Sequence, residues 1–481
     1  MTRHTKNIWL LCKIVLFVGS TGILLYFVTS LFTGTSPEAI FLIMVDTVRP
    51  DHLSCYGYKH HSTVNIDHLA EQGVKFTRAQ SVSSWTRPSV GAIMTSKYPS
   101  QLGLVEKPAV EGQIFRPRQM RAQERDALVP LEQILPNLLK DAGFQTAAFV
   151  NQPSLCSGND FQRWFQDYYY PVADGQIVHY SEEKPFEIQD WGSLKDAFLN
   201  DHALVGEFGR WLRNRTNQKV FVWLHLLTPH RPYLPPRIFV NQNTGSYDPA
   251  LSDEKRDAIM RYDGEIKAAD FLVGEIMKII APYAKEHRSL IVFTSDHGEE
   301  LWDHGNVEHG HSLHREVLHV PLIMVTEALP KGKTIDQFVR TIDILPTILD
   351  LAEIKVTETF PLEGVSLKPM IQENAPTLPV FSEGMLYGGT ERSLIEQGYK
   401  LMFDEQLSSW NLFDLNSNAA ETINLAPKMP DRTEFLRQKL LRMQARLGTE
   451  YQTLNKKYPR NQKPDDQQNV QALKALGYIS E

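Results

Sequence analysis

AIFLIMVD, residues 39–46, is a run of seven apolar residues closed by a carboxylate. How that run is read decides the fold. A strand with one wet face alternates apolar and polar residues; this one does not alternate, so it belongs inside a sheet covered on both faces. TAAFV (146–150), VFVWLHLL (220–227), SLIVFTS (289–295) and VPLIMV (320–325) have the same character. Helical stretches separate them, the clearest from about Ser252 to Ile280. There Ile259, Tyr262, Ile266, Ala269, Val273, Ile276 and Ile280 recur at spacings of three and four, a single core-facing stripe. Buried strands alternating with helices predict an α/β sandwich, a mostly parallel sheet between helices. After about Leu351 shorter strands follow, YKLMFD and WNLFDL, then a helix from about Arg432 to Leu447. That is the pattern of a small C-terminal α+β subdomain.

Two of the strands end in chemistry. The first delivers Asp46, and LIVFTSDHG delivers Asp296 and His297. In open α/β sheets ligands gather at the carboxyl edge of the strands. One acid there could cap a helix, but two, one of them followed by histidine, read as a metal site. SSWTRPSVGAIMTSKYPSQLG (83–103) adds a hydroxyl. A helix starting near Pro88 places Thr86 at its amino end, where it could be a cap and nothing more. The same position faces free amide N–H groups and favours anions. A neighbouring divalent ion lowers a hydroxyl's pKa and would make Thr86 a nucleophile.

The 481-residue chain carries a formal charge of −7, which argues against nucleic acid as a partner. Ile14 to Phe32 is uncharged and about one bilayer crossing long, with Arg3, Lys6 and Lys13 before it. A retained anchor is favoured over a cleaved signal peptide, giving a membrane-anchored enzyme with its catalytic part exported, periplasmic or extracellular. The expected organisation is a cytoplasmic N-terminus (1–13), a transmembrane anchor (14–33), a catalytic domain (37–351), a C-terminal subdomain (352–450) and a polar tail (451–481). Cys55 and Cys156 read as ordinary buried thiols.

MVDTVRPDHLSCYGY, TRPSVGAIMTSKYP, LHLLTPHRPYLPP, TSDHGEELWDHG, HGHSLHREVLHVPLI and DILPTILDLAEI resemble, in order, the blocks of the sulfatase family of the alkaline phosphatase superfamily. The resemblance implies a divalent metal and covalent catalysis on sulfate or phosphate esters. Family sulfatases carry Cys or Ser in C/S-x-P-S-R, converted to formylglycine. Here the segment reads Thr86-Arg87-Pro88-Ser89-Val90, and threonine is no substrate for that conversion, so no formylglycine is expected. The usual paired aspartates are Asp46-Thr47, the usual Asp-Asn is Asp296-His297, the Gly-Lys-Trp-His block is replaced by FVNQP around Asn151, and the later Lys-Gly is His309-Gly310.

These replacements resemble the phosphoethanolamine and phosphoglycerol transferases and the nucleotide pyrophosphatases of the superfamily. They imply one metal held by Asp46, Thr86, Asp296 and His297, with Zn or Mn preferred over Ca or Mg. Thr86 is then the nucleophile and His309 the acid for the leaving alcohol, with His230 second. A second metal on some of His225, His230 and His309 is the weaker expectation. The substrate is an anionic ester (surface glycan, lipid head group or small molecule), and phosphoester hydrolysis is preferred. Its rivals are a transferase of the phosphoethanolamine or phosphoglycerol type, a sulfatase working with threonine, and a catalytically inactive surface binding module.

Other signals read as structural. The basic run Arg116–Arg125 is a solvated insertion. FQRWFQDYYYPV, with Tyr180, Phe186 and Trp191, reads as packing ahead of a carbohydrate or lipid cleft, Glu299 and Glu300 as supporting the site or lying at the surface, and most of His304, His311, His314 and His319 as structural.

Overall fold

The opening run becomes the middle strand of the sheet. The computed structural model describes residues 36–104, 133–155, 161–172, 176–181, 197–240, 247, 250–356, 361–373, 375, 378–384, 386, 391–404 and 408–457. Its main strands are β1 (Ala39–Val45), β2 (Val74–Gln80), β3 (Gln145–Val150), β4 (Asp167–Pro171), β5 (Ile177–Ser181), β6 (Val220–Leu226) and β7 (Ser289–Thr294). A short hairpin, β8 (Glu300–Leu301) and β9 (Val307–Glu308), precedes β10 (Leu322–Val325) and β11 (Lys333–Arg340). The nine-stranded sheet runs β11-β2-β10-β7-β1-β6-β3-β4-β5. β10 is antiparallel to both neighbours and β5 to β4, and the other pairs are parallel. The expected mostly parallel α/β sheet is present.

Every residue of β1 is fully buried, and the pleat sends alternate side chains to two different cores. Ile40, Leu42 and Met44 pack with Val90 and Ile93 of α1 (Thr86–Thr95) and with Ile344 and Ile348 further along the chain. Phe41, Ile43 and Val45 pack against α2 (Ala197–Arg213) and α3 (Asp253–Ala284), where the stripe Ile266, Ala269, Val273, Ile276 and Ile280 faces the sheet. Ser252 begins α3 as its N-cap, Oγ accepting from Lys255 N at 3.4 Å.

The aromatic stretch is packing where it is described. Tyr169 stacks on Phe149 at 4.7 Å, and Phe165 lies on Phe221 and Trp223. Phe186, Trp191, Cys156 and the Arg116–Arg125 insertion lie outside the described residues. Cys55 is a free thiol and only half-buried.

Beyond residue 379 an antiparallel sheet forms from β12 (Val380–Glu383), β13 (Arg392–Glu396), β14 (Tyr399–Asp404) and β15 (Ser409–Asp414). The helix Pro430–Lys457 covers it with Leu436, Leu440 and Leu447. The same core takes in Val82, Ala92 and Tyr98, so the C-terminal sheet backs the segment that carries Thr86. A buried ion pair joins the halves: Lys400 Nζ lies 2.8 Å from Glu421 Oε1 and donates to Leu313 O at 2.6 Å, and His314 bonds Glu421 at 3.0 Å. Burial alone would raise Glu421, but Lys400 and His314 outweigh it and bring it down to about 2. Its contribution to stability is therefore present above pH 4.5, the ordinary glutamate value, and is lost as pH falls towards 2. Lys400→Met leaves this carboxylate buried and short of its cation. Denaturant unfolding should show a loss of about 3 kcal/mol at neutral pH, shrinking as the pH is lowered through that window. A loss unaffected by pH would contradict the assignment.

The expected membrane anchor is corrected. No helix among the described residues is long and apolar enough to cross a membrane. The two longest have the length but carry charges throughout, as in DEKRD at the head of α3 and RTEFLRQK in Pro430–Lys457, and charges are costly in a bilayer. Residues 14–33, on which the expectation rested, lie outside the described residues. The anchored, exported placement and the membrane as a partner are not supported.

Candidate active site

Strands β3, β6, β1 and β7 are parallel neighbours, so their carboxyl ends come side by side. Asp46 follows β1, His225 is the penultimate residue of β6, Asp296 lies just past β7, and Gln152 just past β3. All four are completely buried. One ligand atom from each of Asp46, His225 and Asp296 lies within 4.8 Å of the others. Among the described residues, Asp46 Oδ1, Asp296 Oδ2 and both ring nitrogens of His225 have no hydrogen-bond partner. His225 Nε2 is 3.7 Å from Asp296 Oδ2, too far for a hydrogen bond. Buried polar atoms left unpaired and facing one another cost free energy that a divalent cation would recover. The donor set, two carboxylate oxygens and an imidazole nitrogen, fits such an ion.

Electrostatics point the same way. Burial pushes the Asp46 carboxyl well above the ordinary carboxylate range, and the Asp296 charge beside it adds to the push. Asp296 is also raised by burial, but His297 and His225 outweigh this and hold it low. A cation between the two carboxylates would remove their repulsion.

Local backbone supports this placement. Thr47, directly after Asp46, has φ 56°, an uncommon left-handed conformation for a β-branched residue and a place where strain is held by its surroundings. Tyr262 Oη of α3 donates to Thr47 O at 2.7 Å, so one residue of the packing stripe also braces this turn. At Gly298 a Cβ would sit 2.0 Å from Glu316 O, so the DHG segment can lie against Glu316 only as glycine. Ser295 Oγ donates to His297 O at 2.6 Å and accepts from Val48 N at 3.0 Å, tying the loops after β7 and β1 together.

Thr86 is the first residue of α1, and Trp85, not Thr86, occupies the N-cap. The Thr86 hydroxyl turns into the site: Oγ1 is 3.2 Å from His297 Nε2 and accepts from Gln152 Nε2 at 3.4 Å. His297 Nδ1 donates to Gly298 O at 2.8 Å, so in the neutral ring Nε2 carries the lone pair. That lone pair also faces Asp46 Oδ1 and Asp296 Oδ2, each at 3.5 Å. Asp46, Thr86, Asp296 and His297 are thus brought together, and His225 joins them.

His309 and His230 are buried next to this cluster. The His309 ring is 4.3 Å from that of His297 and 5.0 Å from that of His230. Burial drives His309 well below the ordinary histidine value, with His297 next in effect; burial and His309 bring His230 down to about 4. Glu299, fully buried, places Oε1 3.0 Å from His309 Nδ1, and burial pushes it up to about 7. The other loop histidines have structural partners: His304 bonds Glu316 at 2.7 Å, His311 bonds Glu300 at 2.9 Å, and His319 bonds Thr77 O at 2.8 Å.

Residues 38–354 match the family described as Sulfatase, and residues 303–446 match the one described as N-sulphoglucosamine sulphohydrolase, C-terminal. A Bacteroides thetaiotaomicron N-acetylglucosamine-6-O-sulfatase is 22% identical, over 82% of this chain and 83% of that one. A solved structure in complex with its substrate D-glucosamine-2-N,6-O-disulfate superposes with TM-score 0.68 at 20% identity, covering 87% of this chain and 98% of that one. The phosphonate monoester hydrolase of Agrobacterium radiobacter gives TM-score 0.63 at 19% identity, covering 85% and 96%.

Proposed function

The chain belongs to the sulfatase family, whose members are metal-dependent ester hydrolases, and from that premise we propose that it hydrolyses an anionic phosphoester with Thr86 as nucleophile. The observation that carries this reading is the Thr86 hydroxyl, 3.2 Å from His297 Nε2, the nitrogen that also lies 3.5 Å from the unpaired oxygens of Asp46 and Asp296. Asp46, His225 and Asp296, with His297 and Thr86 beside them, would hold one divalent cation, and imidazole nitrogen among carboxylates suits Zn or Mn better than Ca or Mg. When bound, the cation lowers the pKa of the neighbouring hydroxyl and offsets charge on the transferred group.

Thr86 gives up its proton to solvent and forms an Oγ–P bond as the bond from phosphorus to the alcohol breaks. The positive end of the α1 dipole favours the charge on the equatorial oxygens. His309, with His230 beside it, passes a proton to the departing oxygen from one ring nitrogen while its Nδ1 takes one from Glu299, whose carboxyl burial raises to about 7. Water then attacks phosphorus and restores Thr86. Phosphate is favoured over sulfate by chemistry: an aldehyde hydrate can expel sulfate by collapsing to the aldehyde, whereas a threonine ester has no such route. A phosphothreonine can still be cleaved by attack at phosphorus. The fold does not choose, since its neighbours include both a complex with D-glucosamine-2-N,6-O-disulfate and a phosphonate monoester hydrolase.

The function is tested with matched nitrophenyl phosphodiester, phosphomonoester and sulfate substrates on Zn- or Mn-loaded protein. Dominant phosphoester turnover is expected; dominant sulfate release would overturn the substrate class. An added alcohol that captures most of the product would show a transferase instead. His309→Ala should slow alkyl phosphoesters about 10²–10⁴-fold, while nitrophenyl esters, whose leaving group needs no proton, change little. Equal losses on both would remove His309 from the acid's role.

A further inference from the structure

FVNQP, with no charged side chain, places a neutral amide between two members of the site. Gln152 Nε2 donates to Asp46 Oδ2 at 2.6 Å and to Thr86 Oγ1 at 3.4 Å. Its orientation is set by its other end, where Oε1 accepts from Ser154 N at 3.2 Å. The backbone is pinned on both sides: Asn151 N donates to His225 O at 2.9 Å, and Leu155 N to Gln152 O at 2.9 Å. Asn151 Nδ2 donates to Asp201 Oδ1 at 2.8 Å. Gln152 itself is fully buried.

We propose that Gln152 is a positioning residue that selects which oxygen of Asp46 faces the cation and fixes the direction of the Thr86 hydroxyl. This rests on the reading of Thr86 as nucleophile. With Oδ2 occupied by the amide, Oδ1 is the oxygen left unpaired and turned towards His297 and Asp296. The second amide hydrogen takes one lone pair of Thr86 Oγ1, which limits rotation about its Cα–Cβ bond. A neutral donor can do both without placing positive charge next to the cation's site. Partners that hold metal ligands in place commonly account for 10–100-fold in metal affinity, and small misplacements of a nucleophile for about 10²-fold in rate.

The test compares Gln152→Met, similar in length but without donors, and Gln152→Leu, a smaller apolar side chain that also lacks them. Expected for Gln152→Met are a kcat for the phosphoester lowered about 10²-fold, a KM close to the parent's, and Mn²⁺ affinity by chelator competition lowered about tenfold. The thermal midpoint is recorded alongside. If Gln152→Met fails to fold, Gln152→Leu decides on the same kcat and Mn²⁺ readouts. Parental kcat in a folded donor-less variant overturns the proposal, as does a loss confined to KM or parental Mn²⁺ affinity in Gln152→Met. Thr86→Ala is run in parallel. If it is inactive while Gln152→Met behaves as the parent, only the positioning role fails; if Thr86→Ala keeps turnover, the nucleophile reading fails first.

Discussion

Thr86→Ala is expected to fold, to retain a divalent cation on Asp46, His225 and Asp296, and to lose phosphoester turnover by about 10⁴-fold or more. The size follows from the role. A nucleophile that forms the covalent intermediate has no substitute at its position, and the remaining groups supply only binding and charge stabilisation. The fold should tolerate the change because Thr86 does not cap α1; Trp85 holds that place, and no cap hydrogen bond is lost. Thr86→Ser separates the hydroxyl from its methyl group and should keep most of the activity. Metal content measured on the same samples makes the result specific. An inactive Thr86→Ala that still binds cation locates the loss in chemistry, and an active one removes the nucleophile.

His225→Ala has the second largest expected effect, and on a different quantity. Its ring is buried with both nitrogens unpaired, and it completes the set with Asp46 and Asp296. Without it, the carboxylates keep their mutual repulsion and lose a ligand, so cation occupancy at micromolar metal should fall to near zero and turnover with it. Elemental analysis after gel filtration reads this directly. Excess Zn or Mn should restore part of the turnover of His225→Ala and none of that of Thr86→Ala. Full occupancy in His225→Ala would return the nitrogen ligand to His297 alone.

The difference between those two residues shows what was legible in the sequence. Asp46 and Asp296 each follow an unbroken apolar run, so parallel-sheet logic puts them at one edge, and Thr86 stands at a helix start marked by Pro88. His225 lies inside VFVWLHLL, where local pattern says only that the strand is buried. Its place beside Asp296 depends on β6 pairing with β1, a contact across about 180 residues of sequence that no local spacing encodes. Gln152 carries no charge and sits in no motif. Glu299 was indistinguishable from Glu300 beside it, and only the tertiary fold turns one to His309 and the other to His311. Strands β2 and β11, VKFTRAQ and KTIDQFVR, mix polar residues into their runs because they lie towards the sheet's edge, and apolar patterning passed over them. The anchor rested on an apolar run and the basic residues before it, all outside the described residues.

The most direct test of the covalent mechanism is peptide mapping by mass spectrometry of metal-loaded protein, acid-quenched during turnover of a phosphomonoester. A phosphoryl group is expected on Thr86, in the peptide spanning 83–103, absent without substrate and absent when the sulfate ester is offered instead. Turnover with Thr86 unmodified at every quench time, or the adduct on another side chain, would contradict it.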